Sequence, residues 1–254
     1  MPEFTGKRAL VTGGGSGIGR EIARLFACEG AHVVIAGRRK DPLSGTAAAG
    51  PAGAIHCVTA DMTREKDQVR VVASAVEILS GLDILVNCAG ILEAGSIQTT
   101  GLDAWDRTMD INVRSLFALT RLAVPHLIEA RGNIINLSSV AGPRPYPGLL
   151  AYCVSKAAVD QLTRCLSLEL APQGVRVNAL NPGVVVTNLH RSGGMSETDY
   201  AAFLEKGKTT HPIGRVGTPA DVAALALFLA SEKAGWITGG TFSVDGGRAL
   251  ASAR

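Results

Sequence analysis

Aromatic side chains and paired cysteines are both scarce in this chain. Phe, Trp and Tyr make up 4% of its 254 residues, and the five cysteines stand apart with no Cys-x-x-Cys pair. That spacing fits neither a zinc ribbon nor a redox-active dithiol, and no metal site is predicted. Most of the cysteines fall within apolar runs, where a thiol behaves as a small hydrophobic group, so we expect a reducing compartment.

Runs of basic residues and long apolar stretches are also missing. The 25 basic and 22 acidic residues leave a formal net charge of +3, so no nucleic-acid partner is expected. The longest apolar segment, residues 220–230, is interrupted by Asp221 and is far shorter than the roughly 18 to 20 residues that span a bilayer, so no membrane partner is expected. Residues 1–7 leave no room for a secretion signal, and we expect a cytoplasmic protein.

Short β-branched runs alternate with longer segments of helical period, which is typical of βαβ units in a parallel sheet. The predicted strands cover residues 9–11, 32–35, 55–58, 84–86, 133–137 and 175–180. The predicted helices cover residues 17–28, 63–79, 102–130, 149–171 and 219–230. Strands covered by helices on both faces need near-continuous apolar side chains. These runs therefore predict an α/β fold, a Rossmann-type doubly wound parallel β-sheet flanked by helices, in a single domain over residues 1–254.

Two segments depart from this rhythm. Residues 41–53 are rich in Ala, Gly and Pro where a crossover helix usually joins the second and third strands, so we expect a shortened or irregular crossover. Residues 188–211 are more polar and contain Gly193 and Gly194 before a stretch of near-helical spacing. They predict either a substrate lid or a surface excursion.

A glycine-rich turn over residues 12–19 follows the first predicted strand and leads directly into a helical pattern. Glycines let the backbone turn tightly and approach a pyrophosphate, whose charge is met by free amides and the positive end of the helix dipole. A merely flexible turn would not account for so many glycines between a strand and a helix. The predicted dinucleotide contacts are Gly13, Ser16, Gly17, Ile18 and Gly19.

The end of the second predicted strand indicates which dinucleotide binds. A carboxylate there holds the ribose 2′-hydroxyl of NAD, whereas a basic residue suits the 2′-phosphate of NADP. This chain has Arg38 and Arg39 at that position and no carboxylate, and a guanidinium binds phosphate through two parallel hydrogen bonds. We expect NADP(H), with NAD(H) as the alternative because loop arginines are often only solvated.

Tyr152 and Lys156 are four residues apart in a predicted helix, so their side chains share one face. A nearby ammonium favours the phenolate and brings the pKa of the phenol, ordinarily about 10, toward neutral pH. Ser139 follows a predicted strand at the edge where ligands bind in this architecture, and its hydroxyl can donate to a carbonyl oxygen. Asn112, in the long predicted helix, can anchor a water that relays protons. Each residue alone also has an ordinary structural interpretation.

Taken together, these residues resemble the short-chain dehydrogenase/reductase family from the first strand nearly to the last residue. The matching positions are residues 12–19, Asp61, residues 87–90, Asn112, Ser139, Tyr152, Lys156, residues 181–183, Thr187 and residues 244–247. The resemblance implies hydride transfer between a nicotinamide and a carbonyl or alcohol. It implies a catalytic tetrad of Asn112, Ser139, Tyr152 and Lys156, in which Tyr152 is the general acid in reduction and the general base in oxidation.

The resemblance also implies further cofactor contacts and an oligomer. The implied contacts are Asp61 and Met62 near the adenine, Asn87, Ala89 and Gly90 along the cofactor, and Tyr152, Lys156, Pro182, Gly183, Val185 and Thr187 around the nicotinamide. Ser16 stands where relatives that prefer NADP often carry a basic residue, which keeps NAD(H) open. Relatives assemble as dimers or tetramers through their long helices and C-terminal ends, so we expect a homo-oligomer.

The segments that wall the substrate pocket in relatives are mainly apolar here, which favours a steroid-like, lipid-like or aromatic carbonyl. Among them, Tyr200, His190 and His211 are candidates to face the substrate, whereas Arg144 is expected to be a solvated loop charge. A 3-oxoacyl thioester, a sugar or polyol, or a non-catalytic role in binding NAD(P) are the alternatives.

Overall fold

In a computed structural model of the chain, which describes residues 2–251, seven parallel strands form one sheet in the order β3-β2-β1-β4-β5-β6-β7. The strands are β1 (Arg8–Thr12), β2 (His32–Gly37), β3 (Ile55–Thr59), β4 (Ile84–Asn87), β5 (Asn133–Leu137), β6 (Arg176–Pro182) and β7 (Thr241–Val244). The helices are α1 (Gly17–Cys28), α2 (Lys40–Ala48), α3 (Glu65–Leu79), α4 (Leu102–Met109), α5 (Ser115–Ala130), α6 (Leu150–Leu170), α7 (Leu189–Ser192), α8 (Glu197–Thr210) and α9 (Pro219–Ala230). The predicted fold class is confirmed.

Both faces of the sheet are buried because successive side chains of a strand point to opposite sides. In β1, Ala9 and Val11 pack in a cluster with α1 and α9, whereas Leu10 packs with α3 and α5 on the other face. A run of consecutive apolar residues is therefore what each central strand requires. None of the helices described within residues 2–251 combines the length and hydropathy that a membrane span requires.

The strand order reverses at β1, which pairs with β2 on one side and with β4 on the other. In open parallel sheets, ligands bind at such a reversal, in the crevice outside the carboxyl ends of the strands. The glycine-rich turn after Thr12 and the loop after Asn87 both lie at this point. The fold therefore creates a crevice beside the turn that the sequence marks for a dinucleotide.

The long helix predicted over residues 102–130 is interrupted. Residues Asp110–Arg114 form a π-helical turn between α4 and α5, and Asn112 lies at its centre. A π turn inserts one extra residue per turn, and such turns recur at functional sites. Helical periodicity extends through the segment, so the sequence alone did not reveal the break.

The last strand differs from expectation, and the crossover between β2 and β3 agrees with it in part. The sequence did not predict β7, a four-residue strand that is only partly buried and so lacks a continuous apolar run. The crossover after β2 is short, as expected, but α2 is a regular nine-residue helix rather than an irregular segment. Residues 188–211 contain two helices, α7 and α8, separated by Gly193 and Gly194.

Candidate active site

The turn after β1 has the backbone geometry that a pyrophosphate site requires. Gly13 and Gly17 adopt φ values of +69° and +54°, which side chains disfavour. A Cβ on Gly13 would lie 3.1 Å from the backbone nitrogen of Ala89, and one on Gly17 would lie 3.1 Å from Cγ2 of Thr187. Helix α1 starts directly after Ser16, whose side chain makes no capping hydrogen bond. The first amides of α1 are therefore left for an anionic ligand.

A cavity of about 320 Å³ opens in front of this turn. It runs from the end of β2 past the loop after β3 to the loop after β4. The predicted cofactor residues that line it are Gly13, Ser16, Gly17, Ile18, Gly19, Arg38, Asp61, Met62, Ala89, Gly90 and Thr187. These residues, brought from five segments of the chain, fit an elongated dinucleotide.

A second cavity, of about 520 Å³, lies beyond the carboxyl ends of β5 and β6. The predicted site residues that line it are Ser139, Tyr152, Lys156, Pro182, Gly183 and Val185, together with Ile18 and Thr187. Its remaining wall is mostly apolar and includes Leu92, Val140, Leu149, Val184, Met195 and Phe203.

The two cavities share a wall. Five residues line both, and they are Ile18, Cys88, Leu92, Thr187 and Leu189. A dinucleotide bound along the first cavity can therefore place its reactive ring against the second.

Tyr152 and Ser139 form the polar floor of the second cavity. Both side chains are buried and line the cavity, and the hydroxyl of Ser139 acts to lower the pKa of Tyr152. The Ser139 oxygen accepts the amide of Ala141 at 3.1 Å. The Ser139 carbonyl is held by Nδ2 of Asn181 at 2.8 Å. These contacts fix the serine against the tyrosine.

Lys156 lies one helical turn after Tyr152 and points toward the first cavity. Its Nζ donates to the carbonyl oxygen of Leu137 at 2.7 Å and lies 5.7 Å from the centroid of the Tyr152 ring. A Cβ on Gly90, which lines the first cavity, would lie 3.7 Å from this Nζ. An ammonium has three donors. The two N–H groups of Lys156 that do not bind Leu137 are available to a ligand near both cavities.

Asn112 is buried behind this constellation and lines neither cavity. Its Oδ1 accepts the amide of Ile91 at 2.9 Å, and its Nδ2 donates to the Ile91 carbonyl at 3.0 Å. The same Nδ2 donates to Oγ of Ser155 at 3.0 Å. Both amide hydrogens are thus used within the protein, which leaves the side chain no donor for the relay water that the sequence suggested.

Comparison with known proteins agrees with this geometry. A family model described as enoyl-(acyl carrier protein) reductase matches residues 13–249. L-fucose dehydrogenase of Bos taurus is 37% identical over 99% of this chain and 92% of its own length. The chain belongs to the short-chain dehydrogenase/reductase family. It is an NAD(P)-dependent oxidoreductase that acts on CH–OH groups.

Further relatives of this short-chain dehydrogenase/reductase match over nearly its whole length. The 3beta-hydroxysteroid dehydrogenase 1 of Eggerthella lenta is 37% identical over 98% of this chain and 95% of its own length. A short-chain dehydrogenase/reductase of Caenorhabditis elegans, solved with cofactor, superposes with a TM-score of 0.93 at 34% identity. That superposition covers 99% of this chain and 98% of the other.

The electrostatics of this dehydrogenase/reductase differ from the expectation for Tyr152. Burial raises the pKa of Tyr152 to about 12, and hydrogen bonding with Ser139 opposes that shift. Burial also lowers the pKa of Lys156 to about 8. In this structure desolvation outweighs any effect of the ammonium on the phenol, so Tyr152 keeps its proton at neutral pH.

Several predicted contacts take structural roles instead. The amide of Asn87 turns away from the cofactor cavity and donates to Thr120 at 3.0 Å and to Asn136 at 2.9 Å. Tyr200 is buried, and its hydroxyl binds the backbone of Thr187, donating to the carbonyl at 2.9 Å and accepting the amide at 3.2 Å.

The side chains of His211 and Arg144 also bind backbone groups, and neither residue lines the second cavity. Nε2 of His211 accepts the amide of Val184 at 3.1 Å, and its Nδ1 lies 2.6 Å from the carbonyl oxygen of Gly207. Arg144 is not a solvated charge. Its Nη1 donates to the carbonyl oxygens of Arg248 and Ala249 at 3.1 and 3.0 Å.

The polar residues of the second cavity that sequence reasoning missed include Asp199 and Arg248. No local pattern marks either residue. Arg248 reaches the cavity only because the chain after β7 returns across the loop that follows Ser139. The contact between Arg144 and Arg248 spans 104 residues of sequence.

Proposed function

We propose that this enzyme transfers a hydride between NADP(H) and a carbonyl or secondary alcohol on a largely apolar substrate. The observation that carries the proposal is the placement of Tyr152 and Ser139 together on the floor of a mostly apolar cavity that shares a wall with the first cavity. The bound nicotinamide supplies or accepts the hydride. The protein orients the reactants, supplies a proton and excludes water from the site.

Each side chain of the floor has a defined task in carbonyl reduction. The Tyr152 hydroxyl donates its proton to the substrate oxygen as negative charge develops there, and Ser139 donates a second hydrogen bond to the same oxygen. Lys156, between the two cavities, binds the nicotinamide ribose and favours the tyrosinate that remains. Asn112 acts as a positioning residue, because its amide joins the π-helical turn to Ile91 and to Ser155. In oxidation the proton moves the opposite way.

The preference for NADP(H) rests on the end of β2. Arg38 and Arg39 are exposed at the rim of the first cavity, and within residues 2–251 neither makes a hydrogen bond or an ion pair with a side chain. No carboxylate occupies the end of β2. An unpaired guanidinium at this position fits a 2′-phosphate better than a 2′-hydroxyl.

The substrate preference rests on the wall of the second cavity. Leu149, Val184, Met195 and Phe203 contribute apolar surface around the Tyr152 hydroxyl. Such a wall favours a lipid-like, steroid-like or aromatic skeleton over a sugar, whose hydroxyls would need more polar partners.

Residues 188–211 fit the role of a lid. Leu189 lines both cavities, and His190, Met195 and Phe203 line the second. The two glycines between α7 and α8 offer a place where the backbone can turn as the lid moves.

The surface supports a homo-oligomer, either a dimer or a tetramer. Phe117 on α5 is 50% exposed, Leu168 on α6 is 79% exposed, and Trp236 is fully exposed. Large apolar side chains on long helices are what subunit interfaces bury.

Replacing Tyr152 with Phe tests the proposal, because it removes only the proton-transfer group. We expect Y152F to lose at least a thousandfold in kcat for ketone-dependent oxidation of NADPH, while the NADPH Kd measured by fluorescence changes less than threefold. Ser139→Ala is the matched variant and should lose less. Turnover by Y152F at the wild-type rate would refute the assignment, as would binding of NADPH with no ketone reduced by the wild type.

A further inference from the structure

We propose that the second cavity ends in a receptor for an oxyanion of the substrate, formed by the guanidinium of Arg248 and the hydroxyl of Tyr146. This inference rests on the proposed function and specifies its substrate. The substrate then carries its carbonyl or alcohol at Tyr152 and, elsewhere on an apolar skeleton, a carboxylate or phosphate that binds Arg248.

The guanidinium of Arg248 has a defined place on the cavity wall. Its Cζ lies 5.4 Å from the centroid of the Tyr146 ring, and its Nη1 is hydrogen-bonded to Oγ1 of Thr210. The edge formed by Nε and Nη2 carries no hydrogen bond to any residue in 2–251. Two parallel N–H groups on that edge match the geometry of a carboxylate or a phosphate.

No carboxylate of the described chain neutralises this charge. Within residues 2–251, no acidic oxygen lies within 4.0 Å of the Arg248 nitrogens. Asp245, three residues earlier, instead accepts the amides of Gly247 at 3.0 Å and Ala249 at 2.6 Å. Asp199 accepts the hydroxyl of Ser196 at 2.7 Å. Both neighbouring carboxylates are thus engaged elsewhere.

The histidines beside Arg248 do not supply a competing charge. Burial lowers the pKa of His190, and the guanidinium of Arg248 lowers it further. Burial also lowers the pKa of His211, against a hydrogen bond to Gly207 that raises it. At neutral pH, Arg248 is therefore the cation of this part of the cavity wall.

The hydroxyl of Tyr146 is a second group without a partner. It is buried, and among residues 2–251 it makes no hydrogen bond, although the residue lines the cavity. A buried hydroxyl normally has a partner in a folded protein. An oxyanion beside Arg248 would accept from it and satisfy both groups.

The segment that carries Arg248 is held in place before any ligand binds. Nη1 of Arg144 donates to the carbonyl oxygens of Arg248, Ala249 and Ala251 at 3.1, 3.0 and 2.5 Å. The guanidinium of Arg144 in turn lies 6.0 Å from the centroid of the Tyr146 ring. A receptor whose backbone is already fixed binds its ligand with a smaller loss of conformational entropy.

A matched set of aryl ketones tests the receptor. We would measure kcat/KM with NADPH for 5-oxo-5-phenylpentanoate, its methyl ester, and the phosphate ester of 5-hydroxy-1-phenylpentan-1-one. The three share the ketone and skeleton, and they differ only in the distal group. We expect the wild type to prefer one of the two anions over the neutral ester by at least tenfold, and the better anion identifies the group.

Variants of Arg248 and Tyr146 then show which side chains cause the preference for the anion over the ester. Arg248→Met should reduce the preference for the anion over the ester at least tenfold, Tyr146→Phe should reduce it less, and Arg248→Lys should restore part of it. Arg121→Gln, which removes an exposed charge from α5, should leave all three rates unchanged. Equal rates on acid, phosphate and ester in the wild type, or an anion preference that survives in Arg248→Met, would overturn the receptor while leaving the proposed ketone reduction intact. No reduction of any of the three would instead count against the proposed function.

Discussion

The side chain of Asn112 exchanges two hydrogen bonds with the backbone of Ile91, its Nδ2 donating at 3.0 Å and its Oδ1 accepting at 2.9 Å. Ile91 belongs to the loop after β4, which lines the first cavity. Asn112 belongs to the π-helical turn before α5. This pair therefore joins the helix layer to the cofactor loop, and the Nδ2 contact with Ser155 extends the connection to the helix that carries Tyr152.

Replacing Asn112 with Leu should damage both stability and turnover. The substitution keeps much of the volume but leaves the partly buried amide and carbonyl of Ile91 without partners, which costs about 1 to 4 kcal/mol for the two groups together. Urea unfolding measures the loss, and kcat should fall more than KM rises, because the cofactor loop and Tyr152 lose their alignment. Ser155→Ala, which removes one of the three contacts of Asn112 and also the hydrogen bond from Ser155 to the carbonyl oxygen of Tyr152, should lose about 1 to 2 kcal/mol. An N112L enzyme with wild-type stability and kcat would contradict the positioning role.

Two glycines of ordinary helical φ should respond oppositely to alanine. A Cβ on Gly19 would lie 2.6 Å from the carbonyl oxygen of Gly13, a backbone atom that cannot move without distorting the turn. Gly19→Ala should therefore weaken dinucleotide binding at least tenfold and destabilise the fold by about 1 to 3 kcal/mol.

Gly45, in α2, is the matched control for that substitution. A Cβ there meets nothing within 4 Å. Gly45→Ala should stabilise the protein by about 0.5 to 1 kcal/mol, because alanine loses less backbone entropy in a helix, and should leave cofactor binding unchanged. Thermal unfolding and titration with NADPH distinguish the two variants. Similar behaviour of both would mean that the turn is not under steric constraint.

The sheet and the phosphate-binding turn were predictable because their signals are local. Central strands buried on both faces need continuous apolar runs, and a turn with positive φ at Gly13 and Gly17 requires glycine. The half-exposed β7 has no such run. The break at Asn112 was not predictable either, since helical periodicity continues through it and the Ile91 partner of Asn112 is 21 positions away.

The candidate site likewise has features that local spacing predicts and features that depend on the folded structure. The spacing of Tyr152 and Lys156 places both side chains on one helical face whatever the rest of the chain does. Their pKa values, in contrast, depend on burial, which spacing does not report. Arg248 and its contact with Arg144 depend on how the chain after β7 returns across the cavity, and no periodicity encodes that path.

The preference for NADPH over NADH should depend on Arg38. Arg38→Ala removes a guanidinium from the rim of the first cavity, and we expect the NADPH Kd to rise at least tenfold while the NADH Kd changes less than twofold, because only NADPH carries the 2′-phosphate. Isothermal titration with both cofactors measures the two values. Arg39→Ala shows whether the neighbouring arginine shares the contact, and Arg121→Ala controls for overall charge. An unchanged ratio of the two Kd values in R38A and in the double variant R38A/R39A would refute the assignment.

The buried charge of Lys156 should lower the free energy of unfolding of the enzyme. Burial lowers its pKa from the ordinary value of 10.5 to about 8. Below pH 8 the lysine is charged in both the folded and the unfolded chain, so the folded state bears the full cost of burying the charge, roughly 3 kcal/mol for a shift of this size. Between pH 8 and 10.5 the unfolded chain binds more protons at this site than the folded one, so stability rises with pH.

Lys156→Met should therefore increase the free energy of unfolding at pH 7 by up to roughly 3 kcal/mol, and the gain should shrink to nearly nothing at pH 10.5. Urea denaturation of wild type and variant at both pH values measures the difference. Burial also raises the pKa of Cys88 to about 12, but that thiol is present in both proteins and largely cancels from the comparison. Lys66→Met, on the exposed side of α3, should show no gain at either pH. If K156M is less stable than the wild type at pH 7, the hydrogen bond to Leu137 outweighs desolvation, and the buried ammonium stabilises the fold.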